Sequence, residues 1–112
     1  MTRFVTHALL RHLVRYLNSD ELATSILAQA QQAAVLRGSA TNIDLTPRND
    51  LPPIQLPNGP MPVRVFVQRA DEDPTGEILV WIGDGKLIGL EQAWWTDDPP
   101  TDWPTPEQVR VA

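Results

Sequence analysis

The pair Asp84-Gly85 constrains this chain more than any other two residues. Apolar runs flank it, Glu77 to Ile82 on one side and Leu87 to Trp95 on the other. A two-residue type I′ turn needs positive φ at both central positions, which Asp-Gly accepts readily. The pattern predicts a β-hairpin in which Gly83 pairs with Lys86. Regular pairing onward from that turn sets Ile82 against Leu87, Val80 against Gly89 and Ile78 against Glu91 on one face, with Trp81 against Ile88 and Leu79 against Leu90 on the other. Both faces are then apolar, and each requires a cover.

Upstream, the apolar spacing changes to that of helices. Over residues 3–17, Val5, Leu9, Leu10, Leu13, Val14, Tyr16 and Leu17 share one arc, while Arg3, His7, Arg11 and Arg15 recur every four residues as a cationic stripe. Asn18 with Glu21 has the logic of a capping box and opens a second helix. In that helix, from Asp20 to about Ala33, Leu22, Ala23, Ile26, Leu27, Ala30 and Ala33 face one way and Thr24, Ser25, Gln29, Gln31 and Gln32 the other. Short strands are predicted at 34–37 and 41–45, and a further strand at 62–69. Between them, residues 46–62 carry six of the eleven prolines and read as an ordered loop, since proline removes ladder donors.

A chain of 112 residues suits one domain with a modest core, burying about 65% of its unfolded surface. The expectation is an α+β domain over residues 1–112: a helical hairpin at about 3–33, an antiparallel sheet of four or five strands at about 34–95, and a Pro/Trp-rich arm at 96–112. With no cysteine, disulfides, thiolate metal sites and cysteine nucleophiles are excluded. Charges interrupt the N-terminal apolar residues, so neither a membrane span nor a signal-peptide core fits, and a cytoplasmic protein is expected. The net charge of -5 is unevenly placed. Residues 71–112 hold ten acids against Lys86 and Arg110, which disfavours a general nucleic-acid binder.

Searches for chemistry are mostly negative. His7 and His12 stand about 140° apart on a helix and cannot share a metal as an H-E-x-x-H pair does. Gly83-x-Gly85 is turn punctuation, and none of Ser19, Ser25 and Ser39 occupies a nucleophile elbow. No cofactor or metal is expected. Glu91, on the apolar side with Ile78 and Leu87, is the one carboxylate that regular pairing would bury, with Arg64 as an available cation.

The string Gly76-Glu77-Ile78-Leu79-Val80-Trp81-Ile82-Gly83-Asp84-Gly85-Lys86-Leu87-Ile88-Gly89-Leu90-Glu91, followed by Trp95-Thr96-Asp97-Asp98-Pro99-Pro100 and Pro104-Thr105-Pro106-Glu107, resembles a group of short uncharacterised bacterial proteins. These share a hydrophobic strand, a D-G turn, an L-x-x-L-E strand and a T-D-x-P-P tail. The segment Ala40 to Leu45 is also similar to the one that follows their helical start. The resemblance implies no catalytic residues. It does imply kinship in style with small α+β proteins that accompany secreted toxins as immunity partners.

The functional expectation is therefore a non-catalytic, immunity-like protein-binding domain with a protein partner of basic surface. Trp94, Trp95 and Trp103 would serve as apolar anchors and Asp97, Asp98 and Asp102 as charge complements. Four alternatives stand beside it. The tryptophans could simply pack the arm against the sheet; the uncovered face could form a homodimer; a helix-sheet cleft near Glu91 could serve a small ligand or an enzyme; and the Arg3, Arg11 and Arg15 stripe could bind nucleic acid weakly.

Overall fold

The computed structural model describes residues 2–47, 49–70 and 72–111, with side chains from His7 onward. Helix α1 (Thr2–Leu13) continues into a 3-10 turn at Val14–Tyr16, and helix α2 spans Asp20–Gln32. The helix N-cap is Ser19, not Asn18: its hydroxyl accepts the Leu22 N–H at 3.2 Å, which satisfies one of the orphan donors of the first turn. Asp20 and Glu21 follow where the helix dipole favours them. The packed arc of α1 is built from Leu9, Leu10, Leu13 and Val14, all buried. Tyr16 leaves that arc, because the tighter 3-10 winding rotates it outward, where it meets the His12 ring edge-on at 5.8 Å. The side chains of Arg3 and Val5 lie outside the described residues.

Seven strands follow: β1 (Val35–Gly38), β2 (Asn42–Leu45), β3 (Gly59–Pro60), β4 (Val65–Val67), β5 (Gly76–Gly83), β6 (Lys86–Trp94) and β7 (Val109–Val111). They form one antiparallel sheet in the order β1-β2-β6-β5-β4-β7, with β3 beside the far end of β5. The class is α+β as expected, but the sheet is larger than four or five strands. Both additions are two- or three-residue pieces with no period of their own: β3 in the proline loop and β7 in the arm. Each exists because a longer strand offers it a ladder. Pro60, which has no N–H to give, is tolerated because the next residue supplies the ladder donor: the Met61 N–H donates to the Val80 carbonyl at 2.7 Å.

The hairpin turn forms as expected, with φ of 52° at Asp84 and 75° at Gly85. Its pairing departs from the regular count after one rung. Gly83 faces Lys86 and Ile82 faces Leu87, but Trp81 faces Gly89, Val80 faces Leu90 and Leu79 faces Glu91. Ile88 is an extra residue, a β-bulge, and every later position on β6 changes face. Leu90 therefore enters the core opposite Val80 and Ile43, and Glu91 leaves it. The bulge is accommodated by glycines on both sides. A Cβ on Gly83 would stand 3.0 Å from Ile88 Cδ1, and one on Gly89 would stand 2.7 Å from the Ile43 carbonyl oxygen. Since the latter is rigid backbone, Gly89→Ala is expected to cost about 2 kcal/mol through displacement of β2, measurable by urea unfolding.

One face of the sheet carries Ile43, Val65, Ile78, Val80, Ile82 and Leu90, all buried under the two helices. The intervening residues Glu77, Leu79 and Trp81 are only half-buried. A sheet with two dry faces was expected. The structure has one, because the bulge returns Glu91 to the side already holding Asn42 and Asp44. The strap before β3 closes the turn end of the core: Ile54 is buried and its N–H donates to the Gly85 carbonyl at 2.8 Å.

The most consequential interior contact comes from Gln29, expected on the outer side of α2 and found 1% exposed. Its Oε1 accepts the Leu87 N–H at 2.8 Å, while its Nε2 donates to the carbonyls of Gly85 (3.0 Å) and Pro52 (3.2 Å). One amide thus ties helix, hairpin turn and strap together, with no buried side-chain donor or acceptor left unmatched among the described residues.

Candidate partner-binding site

The six residues singled out by sequence do not form one patch. Trp94 is the last residue of β6 and Trp95 follows it, its N–H still donating to the Thr75 carbonyl at 3.1 Å, so the backbone stays extended and the two side chains point to opposite sides. Trp95 lies on the helix-free face, edge-on to Phe66 at 6.3 Å between centroids, with its indole N–H donating to the Pro74 carbonyl at 2.9 Å. Phe66 in turn lies under the Arg64 guanidinium at 4.9 Å. Arg64 pairs with Glu77 at 2.9 Å, not with Glu91. Trp94 turns to the other side, toward the arm. Both rings stay substantially open to solvent, 43% for Trp94 and 53% for Trp95.

Trp103 is half-buried. It packs against the hydrophobic core, and its indole N–H donates to the Ser39 carbonyl at 2.7 Å, which anchors the arm on the β1–β2 turn. Asp102 is engaged as well: its carboxylate lies 3.3 Å from Arg69 Nη1, and its carbonyl accepts from Arg69 Nη2 (3.2 Å) and from the Gln92 side-chain amide (3.0 Å). Asp97 and Asp98 are exposed, and no cation among the described residues pairs with either carboxylate.

Between the end of the sheet and the loop 98–102 lies an open cleft of about 310 Å³. Trp94 and Val67 line it from the sheet, Asp98, Pro99 and Pro100 from the arm, and the Arg69–Asp102 pair also lines it. Two of the residues that shape it were not anticipated from sequence. Gln92, 2% exposed, occupies the core position that regular pairing gives to Glu91, and it holds both the Ala40 carbonyl (2.8 Å) and Asp102. Arg69 falls at the end of the strand expected over 62–69 and lies two residues beyond β4. The only advance signal for Gln92 is Gly89, a glycine inside a strand, which can mark a bulge.

Glu91 lies half-buried on the helix-free face, between Asn42 and Leu79. That is the side of the sheet opposite the core face of Ile78, Val80 and Leu90. The cationic side of α1 is more coherent. Arg11, His12 and Arg15 line a shallow groove of about 360 Å³ with Pro106 of the arm. Arg11 Nη2 donates to His7 Nε2 at 2.9 Å. Glu107 stands beside this groove with its carboxyl held below the ordinary carboxylate range, chiefly by its own backbone N–H, then by the Thr105 hydroxyl and, more weakly, by His12. An acid beside three basic groups lowers the potential that a phosphate backbone would meet.

Among the described residues no cluster of three or more histidine, aspartate or glutamate side chains could hold a metal ion, and no helix is long and apolar enough to cross a membrane. No family model, curated protein or solved structure matches the chain.

Proposed function

We propose that the chain is a non-catalytic protein-binding domain, of the kind that neutralises a partner by stoichiometric contact, and that it binds through the end of the β5–β6 hairpin. The observation that carries this reading is the pair Trp94 and Trp95, two large rings left 43% and 53% exposed on a rigid strand end. Exposed tryptophan on an ordered scaffold loses little conformational freedom on binding and is the residue most enriched among interface anchors. Asp97 and Asp98 follow one residue further on and meet no cation among the described residues, which favours a partner with a basic surface by speeding encounter and excluding acidic competitors. Trp103 and Asp102 support the site from beneath; they hold the arm that presents it.

Replacing Trp94, Trp95, Asp97 and Asp98 together by alanine is expected to abolish partner capture in pull-down, with unfolding temperature nearly unchanged. Each anchor ring should contribute about 2 kcal/mol, roughly 30-fold in Kd. Trp103→Phe, which keeps the packing and loses only the N–H, should retain the partner. A quadruple variant that keeps every wild-type partner would refute the proposal.

A further inference from the structure

We infer that the cleft beside Trp94 accepts a lysine or arginine side chain of the partner, an inference that rests on the protein-binding reading above. Four features of the cleft point to a cation. Asp98 lines it with a carboxylate that no cation among the described residues neutralises. The one basic residue in its wall, Arg69, is already matched by Asp102 at 3.3 Å, so the lining carries one uncompensated negative charge. The Trp94 ring forms an open wall, and an aromatic face attracts ammonium and guanidinium groups. Pro99 and Pro100 add apolar surface suited to the methylene stem of a long basic side chain.

Size and stiffness narrow the occupant. A volume of about 310 Å³ lies at the bottom of the range for small-molecule pockets, about 300–1,000 Å³, and suits one inserted side chain rather than a cofactor. The acidic wall is also held in place before anything binds. The Thr96 hydroxyl donates to the Asp98 carbonyl at 2.9 Å, Gln92 and Arg69 both hold the Asp102 carbonyl, and two consecutive prolines stiffen the span between them. A partner inserting a cation here meets a preformed receptor and spends little on ordering it. Glu72 and Asp73, in the neighbouring turn, extend the negative field outward.

The test uses the full chain, labelled with nitrogen-15 and titrated with capped Gly-Arg-Gly, Gly-Lys-Gly and Gly-Gln-Gly peptides. The Arg and Lys peptides should produce saturable shifts of the Trp94 indole N–H and the Gln92 side-chain amide, while the Trp103 indole stays still and the Gln peptide shifts none of them. Asp98→Asn, which leaves the Thr96 bond to the backbone carbonyl in place, should weaken binding by about 3-fold or more, as should Trp94→Leu. Absence of a saturable shift, an equal response to the Gln peptide, or undiminished affinity in Asp98→Asn overturns the inference. If the peptides fail while partner capture still depends on Trp95 and Asp97, the cleft assignment falls and the protein-binding reading survives. If the peptides bind as expected while capture ignores all four residues, the cleft takes cations but the partner does not use it, and both the protein-binding reading and the assignment of the partner's side chain to the cleft fall.

Discussion

Gln29→Ala should lower the stability of this domain by about 3 kcal/mol. The side chain satisfies one buried donor and two carbonyls, and truncation leaves the Leu87 N–H in the interior with no replacement. A buried polar group stranded in this way costs about 1–3 kcal/mol, before the lost packing is counted. The Gly85 carbonyl suffers less, because it keeps the Ile54 N–H. For a domain of this length the loss corresponds to a fall in Tm of roughly 10 to 15 °C, read by thermal unfolding followed by circular dichroism. Gln29→Leu separates the causes: it refills the volume and still strands the Leu87 N–H, so it should recover only a minor part of the loss. Were Gln29→Leu as stable as the parent, the hydrogen bonds would not be what ties α2 to the hairpin.

Leu90→Ala should cost about 3 kcal/mol, within the range of about 2–5 kcal/mol for buried leucines, while Glu91→Ala should change stability by less than about 0.5 kcal/mol. The contrast is a direct assay of the bulge. With Ile88 looped out, Leu90 sits between Val80 and Ile43 and is 2% exposed. With the hairpin paired regularly, the burdens would be exchanged, since Glu91 would face Ile78 in the core. Chemical denaturation of the two variants distinguishes the registers without a structure, and equal effects would contradict the bulged pairing.

These two positions also show where reading the residues in order stops working. The Asp84-Gly85 turn was legible because its φ requirements are local, and the helices were legible because their apolar period is. A bulge is a single-residue event whose benefit, placing Leu90 against Ile43, lies in a strand more than forty residues away; nothing within the hairpin announces it except Gly89. Gln29 follows Ile26 by three residues and so falls at the border of the packed face, yet its outward neighbours suggested a solvated amide. Its partners are the Leu87 N–H and the carbonyls of Gly85 and Pro52, all more than twenty residues away. Strands β3 and β7 were missed for the same reason: short segments acquire extended structure from the partner that binds them. Of the six residues proposed from sequence, Trp94, Trp95, Asp97 and Asp98 are open to solvent with no ion pair among the described residues, whereas half-buried Trp103 is tied to Ser39 and Asp102, though exposed, is tied to Arg69.

The divergence of Trp94 and Trp95 at the end of β6 has a geometric corollary. The strand stands between the two rings like a partition, one facing the arm's cleft and the other lying over Phe66. A partner laid flat against either side can shade one indole and must leave its neighbour wet. Covering both takes a forked surface that straddles the sheet's end, and the number of tryptophans quenched on binding would therefore report the shape of the partner.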